Sequence, residues 1–127
     1  MRNTMWTKEQ VNEAIYTVLT TQFKKQAPEA FNIVKAAGYE YEKNNGQFAV
    51  KNEGTDRYIY LSDGGYYNHY YTEVRYGWYG QHVTRFEGPD RALDVKEKFD
   101  FVGCLDKPIN RTWYDMQRRV DFSEADL

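Results

Sequence analysis

Asn45-Gly46 is the segment that most restricts the fold of this chain. An Asn-Gly pair between two alternating segments is the strongest short-range signal for a hairpin with a two-residue type I′ turn. Closing that turn sets Tyr41 opposite Val50, and it sets Glu40 opposite Lys51 on the other face. Apolar residues then meet on one face and opposite charges on the other, so the pattern predicts this register of an antiparallel sheet.

Three later turn signals extend the hairpin into a meander. They lie at residues 53–56, 62–65 and 77–80. The pairs that they predict are Val50–Ile59, Phe48–Leu61, Leu61–Tyr66, Val74–Val83 and Arg75–His82. We therefore expect about five antiparallel strands, at residues 39–44, 47–52, 57–61, 66–76 and 81–86.

Helical patterns flank the strands on both sides. Residues 7–23 carry an apolar stripe at helical spacing behind a Thr7/Gln10 capping box, and residues 28–37 run from a proline to the stop signal Gly38. Beyond Pro89 the pattern is helical again, with Asp94 as the expected cap and Asn110 as the cap of a last short helix. The predicted fold class is α+β, with two N-terminal helices, a five-stranded meander and a C-terminal helical segment.

Bulk properties limit the classes of protein that fit. A length of 127 residues predicts one globular domain spanning 1–127. The net charge of −2 argues against a general nucleic-acid binder. Cys104 is the only cysteine, which excludes an internal disulfide and suits a reducing compartment. With no signal-peptide pattern and no membrane-spanning run, the expected location is cytoplasmic.

Eight of the 12 tyrosines fall within residues 57–80. The predicted registers divide this cluster between the two faces of the sheet. The inner face is predicted to hold Tyr39, Tyr41, Phe48, Val50, Ile59, Leu61, Tyr66, Tyr70, Val74, Tyr76 and Val83. The outer face is predicted to hold Tyr58, Tyr60, Tyr67, His69, Tyr71, Glu73, Arg75, His82 and Phe86. An outer face so rich in rings needs either a cover or a partner.

Two interpretations of the outer face compete. In the first, the C-terminal segment covers it; the apolar residues available for this are Phe99, Phe101, Leu105, Ile109 and Trp113. In the second, the face is open and binds another molecule. Trp78 and Tyr79 favour the second interpretation, because turn chemistry does not require two large rings between Gly77 and Gly80. The predicted binding residues are Trp78, Tyr79, Tyr58, Tyr60, Tyr67, Tyr71, Arg75 and His82.

No motif of catalysis, metal binding or cofactor binding stands out. His69 and His82 lack metal-ligand spacing, and Cys104 lies in an apolar stretch typical of an inert buried thiol. We therefore expect no enzymatic activity, no cofactor and no metal. A protein partner is the preferred expectation, since tyrosine, tryptophan and arginine dominate interface hot spots. A domain that stacks single-stranded nucleic acid on its outer tyrosines is the alternative.

In general character the chain is small, rich in tyrosine and asparagine, and free of motifs. In this it is similar to accessory proteins of bacteriophages and other mobile elements, some of which inhibit host defence nucleases by occluding a surface. The resemblance implies an inhibitor or adaptor that works by binding.

Overall fold

The computed structural model describes residues 5–55, 57–77 and 80–107. The helices are α1 (Lys8–Thr20), α2 (Pro28–Ala36), α3 (Arg91–Lys98) and α4 (Phe101–Asp106), with a short 3₁₀ turn at Lys24–Gln26. The strands are β1 (Glu40–Asn44), β2 (Gln47–Asn52), β3 (Arg57–Tyr66), β4 (His69–Gly77) and β5 (His82–Glu87). They form one antiparallel sheet in the order β1-β2-β3-β4-β5, so the predicted α+β meander is confirmed.

Local capping sets the ends of the two N-terminal helices. The Thr7 hydroxyl accepts from the Gln10 backbone amide, and the Gln10 side chain accepts from the Thr7 amide, which completes the predicted capping box. Pro28 begins α2, and Gly38 follows it with φ of 100°. Only glycine adopts that left-handed conformation without steric cost, so the helix ends there.

The first hairpin has the predicted register. Tyr41 lies opposite Val50 and Glu40 opposite Lys51. Asn45 and Gly46 both have positive φ, 55° and 79°, as a type I′ turn requires. Val50 also lies opposite Ile59, which confirms that predicted pair in the next hairpin.

The turn predicted at residues 62–65 is wrong. β3 continues to Tyr66, the loop is Tyr67-Asn68, and Leu61 lies opposite Val74 instead of Tyr66. The two glycines serve close packing: a Cβ on Gly64 would lie 2.5 Å from the Tyr71 hydroxyl, and one on Gly65 would lie 2.8 Å from a ring carbon of Tyr70. Glycine in a strand commonly marks such an approach, and here it makes room for rings of the neighbouring strand.

The predicted β4–β5 register is wrong by one residue. Arg75 lies opposite Val83 and Tyr76 opposite His82. Because side chains alternate between faces, this shift moves His82 and Phe86 to the inner face and Val83 to the outer face. Phe86 accordingly packs against the core, while Val83 is 45% exposed.

The core lies between one face of the sheet and the four helices. Val50, Ile59 and Val74 from the sheet share it with residues of every helix. Phe101 and Leu105 of α4 are fully buried in it, and Phe99 packs against its edge. The prediction that these three cover the outer face is therefore wrong, while Ile109 and Trp113 lie outside the described residues.

The C-terminal helical run differs from expectation in two ways. α3 begins at Arg91, three residues before the predicted cap Asp94, and the run is interrupted before α4, where the Asp100 side chain accepts from the Gly103 amide. The cap predicted at Asn110 lies outside the described residues. None of the helices in the described ranges is long and apolar enough to cross a membrane.

Candidate binding surface

The outer face of the sheet is the side opposite the four helices. Register and alternation place six of its residues at the centre of the sheet, namely Tyr58, Tyr60, Tyr71, Glu73, Arg75 and Arg85. Five of them belong to the predicted outer set, and Arg85 joins them because of the shifted β5 register. The described helices pack on the other face. On the outer face Glu73 is buried, whereas the other five residues are partly exposed or exposed.

Glu73 organises the charges on the outer face. It is buried, and its two carboxylate oxygens accept from different guanidinium groups: Arg75 Nη2 at 2.7 Å and Arg85 Nη2 at 2.7 Å. These bonds, that from Arg85 foremost, hold the pKa of Glu73 below its usual value despite the opposing effect of burial. Both arginines are thus paired with one carboxylate, which offsets one of their two positive charges.

Rings flank this charge cluster on both sides. The Arg85 guanidinium lies 4.0 Å from the centre of the Tyr71 ring, a cation–π distance. Tyr58 and Tyr60 lie two residues apart on β3 with nearly parallel rings, 5.9 Å between centroids at 10°. Together they form one wall of a groove of about 540 Å³ whose other lining residues come from β1 and β2, including Ala49 and Lys51.

The β4–β5 loop closes against the same two tyrosines. A Cβ on the buried Gly80 would lie 3.1 Å from the Tyr60 ring and 3.5 Å from the Tyr58 hydroxyl. Trp78 and Tyr79, the first-choice binding pair, lie outside the described residues. The contact places Gly80 itself at the edge of the outer face.

The end of the β3–β4 ribbon carries a second aromatic group, which we name the tip (residues 64–71). Tyr66, Tyr67 and Tyr70 are 59%, 93% and 57% exposed. In the described part of the chain, β2 pairs with β3 only at residues 57–59, and β5 pairs with β4 no further than Tyr71, so the tip projects beyond both neighbours. Sequence reasoning placed Tyr66 and Tyr70 in the core because it put the turn four residues too early.

Tyr67 has an unusual backbone conformation. Its φ is 55°, in the left-handed region that glycine and asparagine normally supply at the first position of a two-residue hairpin loop. A bulky residue there carries a steric cost of about 1 kcal/mol. Such strain together with near-complete exposure is typical of residues retained for a function other than folding.

The two histidines are not brought together. His69 lies at the tip, with its ring 5.6 Å from that of Tyr66. His82 lies on the inner face, where burial, reinforced by the Arg57 charge, lowers its pKa. Burial likewise raises the pKa of the Cys104 thiol to about 11, which makes it a poor nucleophile. Among the residues described, no group of three or more potential ligands could hold a metal ion.

Comparisons of the chain with family models, with curated proteins and with solved structures found no match.

Proposed function

We propose that this protein is a non-catalytic binding protein that engages a protein partner through the tip and the outer face. The exposure of three tyrosines at the tip carries the proposal. Their rings contribute little to the core, and one of them occupies a strained backbone position. Exposed tyrosines supply large contact area at low entropic cost, since each ring has only two side-chain torsions.

The outer face supports a partner of protein type more than a nucleic acid. Arg75 and Arg85, its central cations, already bind Glu73. Guanidinium groups that already share a carboxylate gain less from phosphates than unpaired ones do, whereas a polar, aromatic face suits a protein interface. Trp78 and Tyr79 remain part of the proposed site together with Tyr58, Tyr60, Tyr67, Tyr71 and Arg75. His82 is less suited, because it points to the inner side.

The broader role that we propose is that of a cytoplasmic inhibitor or adaptor, such as an accessory protein of a phage or other mobile element that acts on a host defence nuclease. The small size and the tyrosine-rich exposed surface support it. In this proposal, binding acts by occlusion of a surface of the partner.

Affinity capture from host lysate tests the proposal. A tip variant, Tyr66→Ser with Tyr70→Ser, should lower the affinity for the partner by about thirtyfold or more, since a single hot-spot residue is worth about 2 kcal/mol. Leu93→Ser is the matched control, because Leu93 has similar exposure (51%) and belongs to α3, not to the ribbon. Equal capture by the tip variant and the wild type would contradict the role of the tip.

A separate variant tests the loop. Trp78→Ala with Tyr79→Ala should leave the unfolding free energy unchanged within about 0.5 kcal/mol and abolish capture. If capture persists while the tip variant loses it, the loop pair is not part of the interface.

Single-strand nucleic-acid binding is the second candidate, favoured by the parallel rings of Tyr58 and Tyr60. Fluorescence anisotropy with labelled oligonucleotides at low salt distinguishes the two functions. A protein-binding face should give no titratable signal. Binding that is lost in Tyr58→Ser/Tyr60→Ser and weakens steeply with salt would favour nucleic acid instead.

A further inference from the structure

A polar cleft lies on the helix side of the sheet, away from the outer face. It has a volume of about 480 Å³, within the range of sites for small organic ligands. The end of α1, the β1–β2 turn, the middle of β3 and β4, and α3 all contribute to its lining. Its floor includes the buried apolar side chains of Leu19, Leu61 and Val95.

The rim of the cleft is rich in hydrogen-bond acceptors. Side-chain hydroxyl and amide groups of the lining belong to Thr20, Thr21 and Gln22 at the end of α1. Asp63 is the one charged side chain of the lining. Within the described ranges Asp63 forms no ion pair, and its one hydrogen-bond donor is the buried Thr72 hydroxyl, which fixes the carboxylate at the cleft.

Helix α1 adds negative potential to the same place. Leu19 and Thr20, which line the cleft, are the last two residues of this helix, and its last turn holds no basic residue. The carbonyl groups at a helix C-terminus carry a partial negative charge that favours cations. Lys43 donates to the backbone carbonyl of Gln22, a lining residue, at 2.6 Å, and Lys43 itself is not part of the lining.

We propose that this cleft binds a guanidinium group on an alkyl stem. A guanidinium presents five N–H donors, which match the carboxylate, hydroxyl and amide acceptors of the rim. The apolar floor suits the methylene stem that carries it. A metal ion is a poorer match, because a single carboxylate in a cleft of this size cannot complete a coordination shell.

The guanidinium can come from a free small molecule or from an arginine side chain of a protein. Two-dimensional NMR titration of the full chain separates these sources with two probes, ethylguanidinium and a blocked Gly-Arg-Gly tripeptide. We expect the amide signals of cleft residues such as Thr20 and Asp63 to shift with at least one probe. A response to ethylguanidinium alone indicates a free cation, and a stronger response to the tripeptide indicates an arginine side chain.

Asp63→Asn should weaken the probe's affinity on the order of tenfold, because a charged hydrogen bond becomes a neutral one while the asparagine oxygen can still accept from Thr72. Asp90→Asn is the matched control: it removes the same charge from a residue outside the cleft that makes no capping bond, and affinity should be unchanged. Equal affinity of the Asp63→Asn variant and the wild type would overturn the proposal. A tripeptide with neutral citrulline in place of arginine should bind more weakly than Gly-Arg-Gly, and equal affinity would also overturn the proposal. The same holds if the amide signals of cleft residues do not shift at millimolar concentrations of either probe.

Discussion

The two ends of the β3–β4 ribbon follow different physical rules. At the base (residues 57–61 and 74–77), the ribbon lies between β2 and β5 and buries Ile59 and Val74 completely under the helices. At the tip, three tyrosines are more than half exposed and one has a left-handed backbone. Burial explains the choice of residues at the base. It does not explain the tip, which is why we assign function to the tip.

The largest contrast should be in stability. Ile59→Ala at the base should lower the unfolding free energy by about 2–5 kcal/mol, because it leaves a cavity in a fully buried site. Tyr70→Ser at the tip should change it by less than about 1 kcal/mol. Urea denaturation of both variants measures the difference, and a comparable loss at the tip would mean that it is structural after all.

Thiol reactivity offers a second contrast. Cys104 belongs to α4, which packs against the base, and burial raises the pKa of its thiol to about 11. A thiol introduced by Tyr67→Cys would be exposed, with an ordinary pKa. Iodoacetamide at about pH 8 should therefore label position 67 at least about a hundredfold faster, since the thiolate is the reactive form. Mass spectrometry measures both labelling rates. Similar rates for Cys104 and for the cysteine at position 67 would show that α4 opens readily.

Glu73, between base and tip, should make stability depend on pH. Its pKa is lowered in the folded protein by Arg85 and Arg75, so its contribution is present above the pKa of the unfolded chain. That contribution is lost as the pH falls through the lower, folded value. The difference in unfolding free energy between wild type and Glu73→Gln should therefore shrink from about pH 7 to about pH 3. Glu97→Gln, on the exposed side of α3, serves as the control and should show no such trend. If the difference in unfolding free energy for Glu73→Gln stayed constant with pH, the ion pairs of Glu73 with the two arginines would not contribute to stability through the charge of Glu73.

The smallest effect has the opposite sign. Tyr67→Asn should raise the unfolding free energy by about 0.5–1 kcal/mol, because asparagine tolerates a positive φ better than tyrosine does. Tyr66→Asn, at a position without positive φ, should bring no such gain. A gain in stability joined to a loss of partner binding would support the view that Tyr67 is kept for recognition. If Tyr67→Asn lowered the unfolding free energy instead, tyrosine would not be strained at position 67.

Local chemistry accounts for the parts of the fold that could be predicted. The capping box at Thr7, the glycine that follows α2 and the Asn45-Gly46 turn each act within four residues, and each lies where expected. The prediction from glycine failed where glycine has a long-range role. Gly64 and Gly65 look like turn residues, yet they admit the rings of Tyr71 and Tyr70 from the next strand.

Part of the site could be predicted for the same reason. Tyr58 and Tyr60 on β3 and Arg75 on β4 fall on the outer face as expected, because alternation along each strand keeps them there. The tip was not predicted, because the turn between β3 and β4 was placed too early. His82 was predicted on the wrong face, because the β4–β5 register differs by a single residue. Neither the Glu73–Arg85 ion pair nor the cleft at the end of α1 leaves a sequence signal, since each joins residues from separate elements.

The sequence by itself determined the order of helices and strands, the first hairpin register and the antiparallel meander, because turns and caps are short-range interactions. Only the tertiary structure decided where β3 ends, which side of β5 meets the core and where the last helices pack. Those outcomes depend on packing between distant segments: Phe101 and Leu105 are apolar enough for either side of the sheet, and they bury on the side where α1 already supplies a core.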